Sequence, residues 1–279
     1  MKHSEKIQTC KMLFLILALV GLMPPLGAQA RKAQGNAPKI HLYEYLPTQE
    51  CQTAVVVCPG GSYCWLSKKY EGSEVARWLN SQGIAAYVLH YPTAGWAGYA
   101  WHSRAVFGGP RYPDELNHLR EAVREVRAKG YRHVGAMGFS AGGHLVLNAA
   151  EEGFPLDFIV PMYPVVTMNE PYVYHRSRRG LMGEFRWKNA TLRDSLSMEL
   201  HADRIECPVF MVNCKDDPIV DYHNALLMDS ALTVHGKPHY YKLYERGGHG
   251  FGATAEKTSP EAIGWKQDFI SWLKTMLNL

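Results

Sequence analysis

Short apolar runs with no polar face, separated by segments of helical period, set the tightest limit on how this chain folds. Residues 54–58 (AVVVC) are wholly apolar and stop at Pro59-Gly60-Gly61. β-Branched side chains suit a pleated ladder, and a run with nothing to offer solvent reads as a strand covered on both faces. Further strands are read at 84–90, 133–137, 158–162, 208–213 and 239–244, while 40–46 alternates in polarity as an edge strand does. Between them, Ser73 is placed to cap a helix carrying Val75, Ala76 and Leu79 that stops before Gly83. Pro113-Asp114 opens a helix with Leu116, Leu119, Val123 and Val126 on one face, ended by Gly130. Further helices are expected at 141–150 and near 260–277. Such alternation implies an α/β fold: a mostly parallel sheet with helices on both faces, in three layers. No internal repeat or low-complexity linker divides the chain, so 31–279 reads as one domain. With 47% apolar and 20% charged residues, disorder, collagen and coiled coil are excluded.

The first thirty residues read differently. A basic stretch over 1–11 precedes an apolar run at 12–22 (MLFLILALVGL), then Pro24-Pro25 and Ala28-Gln29-Ala30. That order describes a secretory signal peptide, with cleavage near Ala30. The run falls short of the roughly 20 residues that span a bilayer, so no membrane anchor is expected after cleavage. The mature protein is expected to be secreted or periplasmic. Three lysines against one glutamate in this segment supply half of the net charge of +4. A nearly neutral remainder has no pull on nucleic acid. Cys51, Cys58, Cys64, Cys207 and Cys214 remain, an odd number. Cys207 and Cys214 bracket a strand of about 23 Å and cannot bridge each other. The cysteines read mostly as small buried residues, with room for one disulfide.

The strongest chemical signal is Gly138-Phe139-Ser140-Ala141-Gly142, a G-x-S-x-G that follows one expected strand and opens one expected helix. That context is a nucleophile elbow: small neighbours permit a sharp turn that lifts the serine hydroxyl clear of the backbone. The competing reading is a tight turn with an idle serine. A hydroxyl needs a base. Of thirteen histidines, His249 sits in a glycine-flanked loop (GGHGFG) just after the 239–244 strand, where it reaches back over the sheet. His144 lies one turn into the elbow helix and is expected to pack there; His133 starts a strand, at the opposite end of the sheet. The base needs a carboxylate to orient it. Asp216, Asp217 and Asp221 compete in the loop after 208–213. Asp217 is chosen, Asp216 is the alternative, and Asp221 is expected to cap the next helix.

Acyl transfer also needs donors for an oxyanion. Gly60-Gly61-Ser62-Tyr63 follows strand 54–58, where glycines let N–H groups come close. The N–H groups of Gly61 and Ser62, with that of Ala141, are assigned to this oxyanion hole. Aromatics Tyr63, Trp65, Tyr91, Trp96, Tyr99 and Trp101 cluster in two loops on the same side; Tyr63, Trp65 and Tyr91 are the substrate-binding candidates, with packing of loop on sheet as the competing role. Segments 92–112 and 166–204 lack clear periodicity and are expected to flank a site at the strand carboxyl ends. There is no GxGxxG after the first strand, no Walker A and no HExxH. No cofactor and no metal are expected.

With these residues in hand, the chain resembles the α/β-hydrolases, and within them bacterial carbohydrate esterases of the acetyl xylan and feruloyl type. The stretches that carry the resemblance are CPGGSY (58–63), GFSAGGHL (138–145), YPVVTM (163–168), DDPIV (216–220) and ERGGHGFG (245–252). The resemblance implies a triad on Ser140, Asp217 and His249. It also implies a third glycine where this chain has Ser62. The activity it implies is deacylation of an acylated glycan or other small ester. A serine peptidase of the same fold uses the same triad, and a non-catalytic sugar- or partner-binding relative is a further class.

Overall fold

A computed structural model describes residues 39–95 and 109–278 of the chain. The expected signal peptide, and Trp96, Tyr99 and Trp101, lie outside these residues.

All six residues of β2 (Thr53–Cys58) are buried, as the unbroken apolar run requires. Its side chains alternate between two cores. Ala54, Val56 and Cys58 face one, Val55 and Val57 the other. The same alternation carries through β3 (Ala85–Leu89), β4 (His133–Phe139), β5 (Phe158–Met162) and β6 (Val209–Cys214). With β1 (Leu42–Tyr45) and β7 (His239–Tyr244), they form a seven-stranded sheet in the order β1-β3-β2-β4-β5-β6-β7. β1 is antiparallel at one edge, and every other pairing is parallel.

Helices cover both faces. α1 (Glu74–Ser81) and α7 (Trp265–Leu277) bury Val75, Leu79, Trp265, Phe269 and Leu273 against one side. α2 (Asp114–Ala128), α3 (Ala141–Glu151) and α6 (His223–Val234) bury Leu116, Leu119, Leu145 and Met228 against the other. Each such side chain contributes about 1.5–3 kcal/mol by leaving water. The three-layer α/β-hydrolase arrangement is therefore present. Register aligns the carboxyl ends: Cys58 pairs with Gly138, Phe139 with Met162, and Cys214 with Tyr244. The loops after β2, β4, β6 and β7 thus leave the sheet along one edge, where an open α/β sheet places its ligands.

Three local expectations change. Ser73 does not cap α1: it ends a π-helical turn, Lys69–Ser73, that runs straight into the helix. The Glu74 N–H that opens the helix is already taken by the Lys69 carbonyl of that turn, and the Ser73 hydroxyl makes no capping bond. Segment 166–204, read as irregular, contains α4 (His175–Met182), α5 (Ala190–Ser195) and 3-10 turns. No disulfide forms among the described residues; Cys58, Cys64 and Cys214 are buried, and Cys51 and Cys207 half-buried. No described helix is long and apolar enough to cross a membrane.

Candidate active site

Ser140 stands between β4 and α3 with φ 54° and ψ −115°, a conformation that L-residues rarely adopt. Holding a non-glycine residue there costs about 1–3 kcal/mol and requires the surroundings to enforce it. The glycines show how. A Cβ on Gly138 would lie 2.0 Å from the Gly142 carbonyl oxygen, and one on Gly142 would lie 2.0 Å from the Cys58 oxygen. Backbone thus packs on backbone across the turn, and the Ser140 N–H is held by the Met162 carbonyl at 3.0 Å. Ser140 opens on a cavity of about 320 Å³, whose wall also includes Gly61, Ser62, Trp65, Glu71, Arg176 and His249.

His249 reaches that cavity from the loop after β7, flanked by Gly248 and Gly250 with φ of 69° and 74°. Its Nδ1 lies 2.6 Å from Asp217 Oδ2. The Asp217 side chain is 1% exposed, and its other oxygen accepts the N–H groups of Ile219 and Val220 at 2.8 and 2.9 Å. A carboxylate can only accept, so Nδ1 carries the proton and Nε2 is left with its lone pair. Among the described residues no group takes up Nε2.

Asp216, the alternative, has another task. Its Oδ1 accepts the N–H groups of Gly247 and Gly248, both at 2.9 Å, and so holds the loop that carries His249. Asp221 accepts the His223 N–H at the start of α6, as a cap does.

In the loop after β2, Gly61, Ser62 and Tyr63 all have positive φ, at 136°, 57° and 60°. Ser62 thus adopts the left-handed backbone that glycine takes freely, at a cost of roughly 1–2 kcal/mol. The turn is closed by the Cys64 and Trp65 N–H groups on the Gly61 carbonyl, at 2.9 and 3.0 Å. Among the described residues no acceptor engages the N–H of Gly61, Ser62 or Ala141. The first N–H groups of a helix are unpaired within it, which leaves the α3 start electropositive beside Ser140.

The aromatic candidates divide. Trp65 lines the cavity. Tyr63 is 0% exposed and donates its hydroxyl to His144 Nδ1 at 2.8 Å. Tyr91 is buried and donates to the Pro59 carbonyl at 2.5 Å. Both stand behind the loop rather than in the cavity. His144 is buried as expected, and its Nε2–H bonds the Leu196 carbonyl at 2.8 Å. Burial pushes its pKa down to about 4, so the ring is neutral.

Residues 70–279 match the prolyl oligopeptidase family. The chain belongs to that family. Its relatives include an acetylxylan esterase of Xylanibacter ruminicola, 29% identical over 250 residues. The alignment covers 85% of this chain and 48% of that protein, so the chain spans about half the length of its curated relative. Among solved structures, an acetyl ester-xyloside bifunctional hydrolase from Caldicellulosiruptor lactoaceticus superposes with a TM-score of 0.73. It is 27% identical, with 88% of this chain and 94% of that one covered. The carboxylesterase Cest-2923 from Lactobacillus plantarum WCFS1 shares the fold at TM-score 0.65 and 20% identity, with 85% and 92% covered.

Sequence reasoning did not single out Glu71, Tyr163, Tyr174 or Ile219, although YPVVTM begins at Tyr163. Tyr174, Arg176 and Ile219 line the cavity of this prolyl oligopeptidase-family chain, from α4 and its approach and from the Asp217 loop. Arg176 belongs to the arginine-rich segment 166–204, which was expected to flank the site. Nothing in the sequence around Glu71 marks it as chemical.

Proposed function

We propose that this chain is an exported serine esterase that removes acetyl, or another small acyl group, from a plant-type polysaccharide or oligosaccharide such as xylan. Ser140 is the nucleophile, His249 the base, and Asp217 the group that orients the imidazole. The observation that carries this reading is His249, paired with Asp217 at 2.6 Å and lining the same cavity as a serine held at an elbow. Support also comes from the two relatives whose names include acetylxylan and acetyl ester-xyloside substrates. A cavity of about 320 Å³ suits a small acyl group, since it lies at the low end of the usual range for ligand pockets of about 300–1,000 Å³.

On this reading the steps are these. The unprotonated Nε2 of His249 takes the Ser140 proton as the serine oxygen attacks the ester carbonyl. The carbonyl oxygen becomes negative and is met by the N–H groups of Gly61, Ser62 and Ala141, each donor being worth about 3 kcal/mol in the transition state. The imidazolium then protonates the sugar oxygen as its bond to the acyl carbon breaks. Water, deprotonated by the same Nε2, releases the acid and restores Ser140. Trp65 is placed to face the substrate, while Tyr63 and Tyr91 stiffen the oxyanion loop from behind.

A serine peptidase acting on short peptides is the second reading, favoured by the family match. Glu71, the carboxylate in the cavity wall, already receives the Gly60 N–H and the Tyr163 hydroxyl, which leaves it poorly suited to bind a peptide amine. Hydrolysis of 4-nitrophenyl acetate and acetylated xylo-oligosaccharides by wild type and Ser140→Ala tests the proposal. Wild-type turnover that Ser140→Ala reduces at least about 10³-fold is expected. Equal rates, or activity confined to chromogenic peptides, would remove the esterase reading.

A further inference from the structure

Glu71 has no role in the steps above, yet it is a carboxylate 2% exposed in the wall of the Ser140 cavity. Burying a carboxylate is expensive unless its oxygens are satisfied. The Gly60 N–H donates to Oε2 at 2.9 Å and the Tyr163 hydroxyl donates to Oε1 at 2.8 Å. Burial pushes its pKa up overall, while the neighbouring His249 and the donors on both oxygens pull back toward the ionised form.

The partners matter more than their number. Gly60 is the root of the loop carrying Gly61 and Ser62. Tyr163, directly after β5, accepts the Gly252 N–H at 3.0 Å, three residues beyond His249, and its ring lies 4.7 Å from the imidazole. One carboxylate therefore ties the oxyanion loop to the histidine loop. The fit is close on both sides: a Cβ on Gly60 would lie 2.9 Å from both Glu71 Oε2 and Ser140 Cβ, and one on Gly252 would lie 2.0 Å from the Tyr70 carbonyl oxygen.

Resting on the serine-hydrolase reading above, we propose that Glu71 is a positioning residue: it clasps the two catalytic loops through Gly60 and Tyr163, and its charge favours the imidazolium that His249 becomes. The groups facing His249 are Asp217 from the β6 loop, Glu71 from the π-helical turn and Tyr163 directly after β5, with Tyr174 and Arg176 in the wall of the same cavity. Tyr91 also faces Glu71. Of the two negative charges, Asp217 bonds the ring directly and Glu71 acts through space. Removing Glu71's charge makes the protonated ring less favourable.

Two variants separate the clasp from the charge, with 4-nitrophenyl acetate as substrate. Glu71→Gln keeps the size but loses the charge and an acceptor; kcat is expected to fall about 100-fold with KM little changed, and the acid limb of kcat/KM to move to lower pH. Tyr163→Phe keeps the charge and cuts the tie to Gly252; kcat is expected to fall about tenfold, with the acid limb unmoved. A folded Glu71→Gln enzyme with wild-type kcat and acid limb would overturn the proposal. If that variant does not fold, as judged by circular dichroism, a fully active Tyr163→Phe enzyme overturns it instead. Wild type no faster than Ser140→Ala would reject the esterase reading, which is a different result from an active wild type indifferent to Glu71.

Discussion

Two histidines flank Ser140, and their surroundings are opposite. His144 is four residues away on α3, and both of its ring nitrogens are spent, one on the Tyr63 hydroxyl and one on the Leu196 carbonyl. His249 is over a hundred residues away, and only its Nδ1 is engaged, by Asp217. The difference teaches what a base requires: one nitrogen anchored by a carboxylate, the other facing a cavity, and proximity along the chain irrelevant. A neutral buried imidazole with two partners is a strut. It supports the ring of Tyr63, and so the loop that carries Gly61 and Ser62, from behind.

Replacing each histidine is the sharpest way to break this contrast. His249→Ala is expected to lower kcat about a millionfold, as loss of the base does in a serine hydrolase. His144→Ala should keep most of its kcat while folded but lose about 1–3 kcal/mol of stability, because the Tyr63 hydroxyl is left buried without an acceptor. Steady-state kinetics beside urea unfolding reads both. A large loss of kcat in His144→Ala at full occupancy of the folded state would erase the distinction.

The adjacent aspartates extend the comparison to a smaller effect. Asp217→Asn should cost about 10⁴ in kcat, since the amide can donate to Nδ1 and stabilise the wrong tautomer. Asp216→Ala only frees the Gly247 and Gly248 N–H groups and loosens the histidine loop, so about tenfold is expected. If the two losses were reversed, the orienting role would belong to Asp216.

The smallest effect is one of pH. Folded His144 takes a proton only near pH 4, against an ordinary value of 6.5. Between these values the unfolded chain binds more protons, so the stability is whole above about pH 6.5 and drains away as pH falls toward 4, by up to about 3 kcal/mol. Urea midpoints measured at pH 7 and 4.5 should fall less in His144→Gln than in wild type. An identical fall in both would mean that other groups carry the acid sensitivity.

Much of the framework was legible in sequence for local reasons. Phe158–Met162 matches the expected run residue for residue, because a strand buried on both faces has nowhere to put a polar residue, and the half-buried edge strand His239–Tyr244 also begins and ends where expected. Helix starts were less so: Ser73 has the chemistry of a cap, but the π-helical turn leading into the helix supplies the Lys69 carbonyl to the Glu74 N–H. The aromatic candidates exposed the same limit. Tyr63, Trp65 and Tyr91 are alike in composition and in loop position. Only Trp65 faces the cavity, since facing depends on the positive-φ turn at Gly61–Tyr63 and on what packs behind it.

The sequence alone determined the elbow turn around Ser140 and the alternation of strands and helices whose loops carry the site residues. Apolar periodicity and the steric demand at Gly138, which meets Gly142 and Gly143, act between neighbours in the chain. Tertiary structure decided which aspartate meets the imidazole, which tyrosines serve as struts, and that Glu71 joins two loops. Those outcomes depend on contacts between residues tens to hundreds of positions apart, whose directions are set only when the sheet and its helices have packed.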